Sequence, residues 1–226
     1  MSVTNPGSNI CADAARYALL RRLMPAMLHN MAGALQPIGM TAAIMEKRLQ
    51  TAAPDLSALI KSSGNIKTLA KDASNTFMDL MTWLTPKTTQ QVAVNVGTED
   101  ALGMVSTELF FRGFTIINEA ASVCDEVPQV ILRSVFMAAL LALTDAAPSS
   151  GQVTIKAHAM NDEIVLEIAF IAIGNESLHG SSHAYRDLTW DDVQYLAGAE
   201  GVTFLHAYNT VTLRFAQRTA RAIADY

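Results

Sequence analysis

The sequence predicts an α+β protein: an N-terminal antiparallel helical hairpin, then an α/β sandwich with helices on one side of a mixed sheet. Three observations carry this. Residues 23–48 and 56–84 repeat apolar side chains at alternating three- and four-residue spacing, the mark of helices presenting one seam to a partner. Between them the run Thr51-Ala52-Ala53-Pro54-Asp55 is a turn short enough to reverse the chain. After Thr85-Pro86-Lys87 the texture changes to short strand-like runs alternating with helical ones. The expected domains are therefore residues 10–86 and 87–226, with the boundary near 85–90.

Composition narrows the class. Half of the 226 residues are hydrophobic and 16% are charged, which favours packed structure over long disorder. A net charge of -5 gives no electrostatic footprint for nucleic acid or for an anionic membrane. Cys11 and Cys124 form neither a CxxC pair nor a disulfide framework, which suits a reducing interior. The N-terminus lacks the basic-then-apolar layout of a signal peptide, and the longest strongly apolar run, residues 135–143, is too short to span a bilayer. A cytoplasmic location is expected.

Residues 1–9 are polar and hold Pro6 and Gly7, so a loose arm is expected. The first helix should run from about Asp13 to Gln50, with Pro25 and Pro37 favouring a local bend on either side of His29. Its seam is Leu20, Met24, Met27, Met31, Ala34, Ile38 and Met45. Placing Met24, Met31, Ile38 and Met45 at a, and Leu20, Met27 and Ala34 at d, puts His29 at f, facing away from the seam. An imidazole held in water amid Met, Ala and Leu is a candidate for chemistry. Arg22 and Gln36 share that register one heptad away and are expected on the solvated face, within reach of a docked partner. The second helix repeats the seam at Leu59, Ile66, Ala70, Ala73, Phe77, Leu80 and Leu84, with Lys61, Lys67, Lys71, Asp72 and Asp79 outside. One hairpin cannot cover its own seam, so a homodimeric four-helix bundle is the expected completion; the competing arrangement covers the seam with the second half of the chain.

In the second half, residues 91–96 alternate like a strand, and residues 98–112 form a helix capped by Thr98 and ended by Gly113. Residues 114–118 are a strand. Pro128 opens an apolar helix over 129–147, closed by Pro148-Ser149-Ser150-Gly151. Strands are expected at 152–159 and 163–171, a polar loop at 173–188, a short helix at 191–199 ended by Gly201, and a last hairpin of 202–206 with 210–215. Of the other histidines, His158 falls in a strand, His179 and His183 in the loop, and His206 near the last hairpin. His179-x-x-x-His183 has ligand spacing only in a helix, and Gly180-Ser181-Ser182 argues for a loop, so no metal site is expected. The Met-rich seam, Trp83 and Trp190 read as packing.

The order of parts resembles the core of bacterial sensor histidine kinases, whose hairpin carries the phosphotransfer histidine and whose sandwich binds ATP. Leu28-His29-Asn30-Met31-Ala32-Gly33-Ala34-Leu35 keeps the histidine and its apolar frame, with Asn30 where the kinases have an acidic residue and Ala34 where they have proline. Residues 130–146 resemble the kinase helix with two asparagines that hold Mg²⁺ and phosphate; Ala138 and Ala142 take those places, while Asp145-Ala146 fits. Residues 150–155 and 164–168 resemble the next two strands, but Phe170 replaces the adenine-reading Asp and Ala172 the first glycine, with Gly174 kept. Leu188-Thr189-Trp190-Asp191-Asp192 stands in place of the later glycine-rich turn, and residues 210–215 resemble the final strand. Alanine cannot ligate Mg²⁺ or phosphate, phenylalanine cannot accept the adenine hydrogen bond, and backbone without those glycines cannot approach phosphate closely.

This combination is similar to the ChpT-type histidine phosphotransferases over residues 15–216: dimeric, kinase-like in both domains and without a working nucleotide site. The resemblance implies a phosphotransferase of a two-component phosphorelay and not an ATP-dependent kinase. His29 would be the phosphoryl acceptor through Nε2, and Asn30, Arg22 and Gln36 would support it or touch a partner. The implied partners are response-regulator receiver domains, an upstream hybrid histidine kinase and a second copy of the chain. No cofactor of its own is implied; Mg²⁺ would come from the receiver. The alternative is a non-catalytic dimeric adaptor or inhibitor that binds receivers or kinases.

Overall fold

The computed structural model describes residues 6–84, 89–177 and 186–216. Helix α1 (Pro6–Leu49) is helical throughout and already formed at Pro6, ahead of the expected start near Asp13. Pro25 and Pro37 lie inside it, each forgoing one backbone hydrogen bond, and the Thr41 hydroxyl donates to the Pro37 carbonyl at 2.8 Å. After the turn, the Asp55 carboxylate accepts from the Ala58 amide at 3.1 Å and caps α2 (Leu56–Leu84).

The chain separates into two compact units. One is the hairpin from Met24 to the end of α2; the other joins the described residues up to Leu23 with those after Pro86. The first division therefore falls inside α1. In the hairpin, α1 buries Met27 and half-buries Met24, Met31, Ala34, Ile38 and Met45, as the seam predicts. On α2 the buried row is Leu59, Ser62, Ala73, Leu80 and Trp83, with Ile66, Leu69 and Thr76 half-buried. Leu59, Ile66, Ala73 and Leu80 were expected there. The alternate positions are one residue off: Ala70, Phe77 and Leu84 stay exposed, while Leu69, Thr76 and Trp83 turn inward. Both flanks of the Leu59–Leu80 stripe are apolar, so periodicity alone does not say which one the neighbouring helix covers.

In the α/β unit, residues 6–23 of α1 bury Ala12, Ala15, Leu19 and Leu23, and Arg16 pairs with Glu200 at 2.7 Å. Strand β1 (Gln91–Ala93) is shorter than the alternation suggested, because α3 (Val94–Phe111) begins at Val94. Thr98 is accordingly no cap. It is buried within α3, its hydroxyl donating to the Val94 carbonyl at 2.8 Å. Gly113 ends α3 with φ +82°, a conformation glycine adopts without strain. Next come β2 (Phe114–Asn118), a 3₁₀ turn and β3 (Glu126–Pro128), a strand that pairs with β1 and was not anticipated. The apolar helix is a π-helical turn (Ile131–Phe136) continued by α4 (Met137–Asp145), and it is buried along nearly its whole length. Strands β4 (Ser149–Met160) and β5 (Glu163–Ser177) follow; β5 runs further than expected, into the predicted loop. Helix α5 (Trp190–Glu200) and the hairpin β6 (Thr203–Ala207) and β7 (Thr210–Ala216) complete the unit.

The main sheet has the order β2-β4-β5-β7-β6, with β2 and β4 parallel and the rest antiparallel. The architecture is α+β: a long helical hairpin followed by a mixed sheet. Val153, Ile155, Ile164, Leu166, Ile168, Val211 and Leu213 give the sheet its buried apolar face, and each such side chain contributes roughly 1.5–3 kcal/mol on burial.

Helix α5 is fixed by its first turn. Thr189 and Asp192 form a reciprocal capping box, and Arg186 grips Asp192 bidentately at 2.6 and 2.7 Å. Burial pushes the Asp192 carboxyl up, but hydrogen bonds from Arg186 and from the Thr189 amide and hydroxyl outweigh it and hold the pKa below its ordinary value. A depressed folded-state pKa stabilises fully above the unfolded value and is lost as pH falls through the folded one. Urea titrations at a series of pH values should show an acid loss of stability below about pH 4, and Asp192→Asn should remove part of that step.

Candidate functional site

His29 sits on α1 within the hairpin unit, exposed, across the helix from buried Met27 and half-buried Ile38. No described residue hydrogen-bonds its ring. Asn30 and Gln36 are exposed as well. The helix supplies rigidity, since its backbone bonds are intrasegmental and its seam is packed. An imidazole held this way can act as a nucleophile. Asn30, an amide, can donate a hydrogen bond beside it but cannot serve as a general base.

Arg22 departs from the expectation. It belongs to the α/β unit and is buried at 5% exposure, not solvated. Its guanidinium reaches Glu108 of α3 and Asp145 at the end of α4, the latter at 3.3 Å. Arg112 meets the same two carboxylates, Asp145 at 2.8 Å and Glu108 at 3.3 Å, and donates to the Thr144 carbonyl at 2.9 Å. The Leu188 amide donates to the other Asp145 oxygen at 3.4 Å. Two arginines and two carboxylates thus balance one another, Glu108 being the most open of the four, while Arg22 Nε has no acceptor among the described residues. A single heptad frame for all of α1 placed Arg22 outside because it assumed one packing partner, whereas residues 6–23 bury against a different unit. The Glu108/Arg112 spacing of four residues was the one trace of this cluster in the sequence.

Three of the four positions matched to the nucleotide site of the kinases are packed. Ala138, Ala142 and Phe170 are all but inaccessible, at 0%, 1% and 3%. Phe170 meets Phe114 edge-on at 6.0 Å between centroids, and Arg112 lies over the other ring at 5.3 Å. At Gly151, beside them, a Cβ would stand 2.6 Å from the Phe170 ring and 2.2 Å from the Ile171 carbonyl. Ala172 is exposed on β5. Asp145, three residues after Ala142, is committed to Arg22 and Arg112. Among the described residues no group of three His, Cys, Asp or Glu side chains is placed to hold a metal ion. His158 is exposed on β4, His206 stacks on Trp190 at 4.6 Å, and His179 and His183 lie outside the described residues. Trp83 is buried in the hairpin. No helix among the described residues is long and apolar enough to cross a membrane.

The hairpin also carries an apolar groove of about 390 Å³ between its two helices, lined by Met31, Leu35, Ile38, Ala73, Phe77 and Met78 among others. Seven-residue rows of exposed apolar side chains, Leu28, Leu35, Ala42 and Leu49 on α1 and Ala70, Phe77 and Leu84 on α2, lie along the same hairpin.

No protein-family model and no curated protein matches the chain. Among solved structures it is similar to the histidine kinase AdeS of Acinetobacter baumannii, at 13% identity over 79% of this chain and 96% of that one, with a TM-score of 0.47. A histidine kinase from Burkholderia phymatum shares 14% identity over 86% and 96% of the two chains, with a TM-score of 0.43. A bacterial phosphotransferase shares 14% identity over 95% and 98%, with a TM-score of 0.38.

Proposed function

We propose that this chain is a histidine phosphotransferase of a two-component phosphorelay, working as a dimer and without ATP. The observation that carries this is His29: an exposed imidazole on a continuous helix, with no hydrogen-bond partner among the described residues. Its Nε2 lone pair attacks the phosphorus of a receiver phosphoaspartate. The N–P bond forms as the acyl P–O bond breaks, the receiver carboxylate leaves, and the Nδ1 proton is free to pass to water. Reversal onto the aspartate of a second receiver completes the relay. The partner brings the Mg²⁺ that neutralises the phosphoryl oxygens, so the chain contributes positioning and needs no cofactor of its own. The packing at Ala138, Ala142 and Phe170 supports a phosphate source other than ATP, which on this reading is a receiver domain charged by an upstream hybrid kinase.

The test incubates the full chain with a phosphorylated receiver domain and follows acid-labile phosphate on the chain. A chain that binds the receiver but never acquires label would be an adaptor, and the relay reading would be wrong.

The second copy is argued from the groove and its rows. Leu28 and Leu35 are 57% and 56% exposed, and Phe77 and Met78 are 47% and 64% exposed. Eight or nine such side chains at roughly 100 Å² each amount to about 800–900 Å² per copy, the scale of a stable protein interface. A stripe repeating every seven residues along both helices is matched by the same stripe of another copy. Leu35→Asp with Phe77→Asp should therefore weaken self-association at least about a hundredfold, read by light scattering behind size exclusion.

A further inference from the structure

We propose that methionine oxidation controls pairing of the chain, with Met31 and Met78 as the sites. The inference rests on the reading that a second copy covers the hairpin groove. Seven of the eleven methionines fall between residues 24 and 84. Met31 lines the groove from α1 and Met78 lines it from α2, and Met78 is 64% exposed on the single chain. Thioethers suit an interface between helices because they are apolar and adaptable, yet they are the groove's only oxidisable side chains.

The co-reactant is a peroxide. Each thioether sulfur takes one oxygen atom and loses two electrons to become a sulfoxide, while hydrogen peroxide is reduced to water. The reaction occurs on the dissociated chain, where the groove is open. The sulfoxide carries a strong dipole that must be stripped of water when the groove closes, against Leu35, Ile38, Ala70, Ala73 and Phe77, with the Ser74 hydroxyl the one polar group in the lining. Oxidised chains are thereby held apart. Methionine sulfoxide reductases, which return both epimers to the thioether, would reset the groove.

Sedimentation velocity on the full chain, before and after graded hydrogen peroxide, tests this, with peptide mass spectrometry reporting conversion of Met31 and Met78. The expected result is a dissociation constant raised at least tenfold once both are oxidised, with unchanged far-UV circular dichroism, and restored by treatment with both reductases. A Met31→Leu/Met78→Leu chain, nearly equal in volume, should remain dimeric under the same dose. Persistence of the wild-type dimer with both sulfurs fully oxidised overturns the proposal, as does failure of the reductases to restore it or equal dissociation of the leucine variant. A wild-type chain that is monomeric before any oxidant overturns the pairing reading itself, which separates the two failures.

Discussion

The His29→Ala chain is expected to take up no phosphoryl group from a phosphorylated receiver domain, under conditions that label the native chain within its first turnovers. The attack needs a lone pair on an imidazole nitrogen, and no neighbour can substitute. Asn30 is an amide, Gln36 another, and Arg22 is buried in the other unit. Loss of a covalent nucleophile should lower the transfer rate at least about a thousandfold, to background. His29 is exposed and makes no hydrogen bond to a described residue, so its removal should shift stability by no more than about 0.5 kcal/mol. His29→Gln should be equally inactive, whereas His29→Ala should still bind the receiver. Acid-labile label on the alanine chain at the native level would place the acceptor elsewhere and end this reading.

Asp145→Ala should be the most destabilising single change outside the apolar core, by about 3–5 kcal/mol. Asp145 is 3% exposed, and its removal leaves Arg22, at 4%, and Arg112, at 11%, sharing only the half-open Glu108. The charges left behind cannot reach water without opening α1 away from α3 and α4. Replacing the opposing cation as well should relieve part of the loss, so Arg22→Met combined with Asp145→Ala should cost less than the sum of the two single changes. Urea midpoints followed by circular dichroism provide the cycle. Strict additivity would show that the cluster does not act as a unit.

The hairpin, its turn and the outward position of His29 were legible in the sequence because a long amphipathic helix writes its packing as a period. The same logic failed at Arg22, since an arginine looks identical whether it ends in water or between two carboxylates 86 and 123 residues away. Thr98 failed for a local reason. Thr and Ser fit both a cap and a helix interior that returns the hydroxyl to the preceding turn, and the alternating valines Val92, Val94 and Val96 hid the early start of α3. That Phe170 packs edge-on to Phe114 was not legible, because nothing along the chain announces a partner 56 residues back.

The division of α1 at Leu23 makes the hairpin an insertion within the α/β unit, which is assembled from two pieces of chain. Arg16 meets its carboxylate 184 residues later and Arg22 meets its second one 123 residues later. During synthesis the hairpin can close on itself as soon as it emerges, through local contacts, while residues 6–23 wait for partners that follow it in the chain. The unit built from two segments is thus finished after the hairpin, and it bears the entropic cost of the long closures.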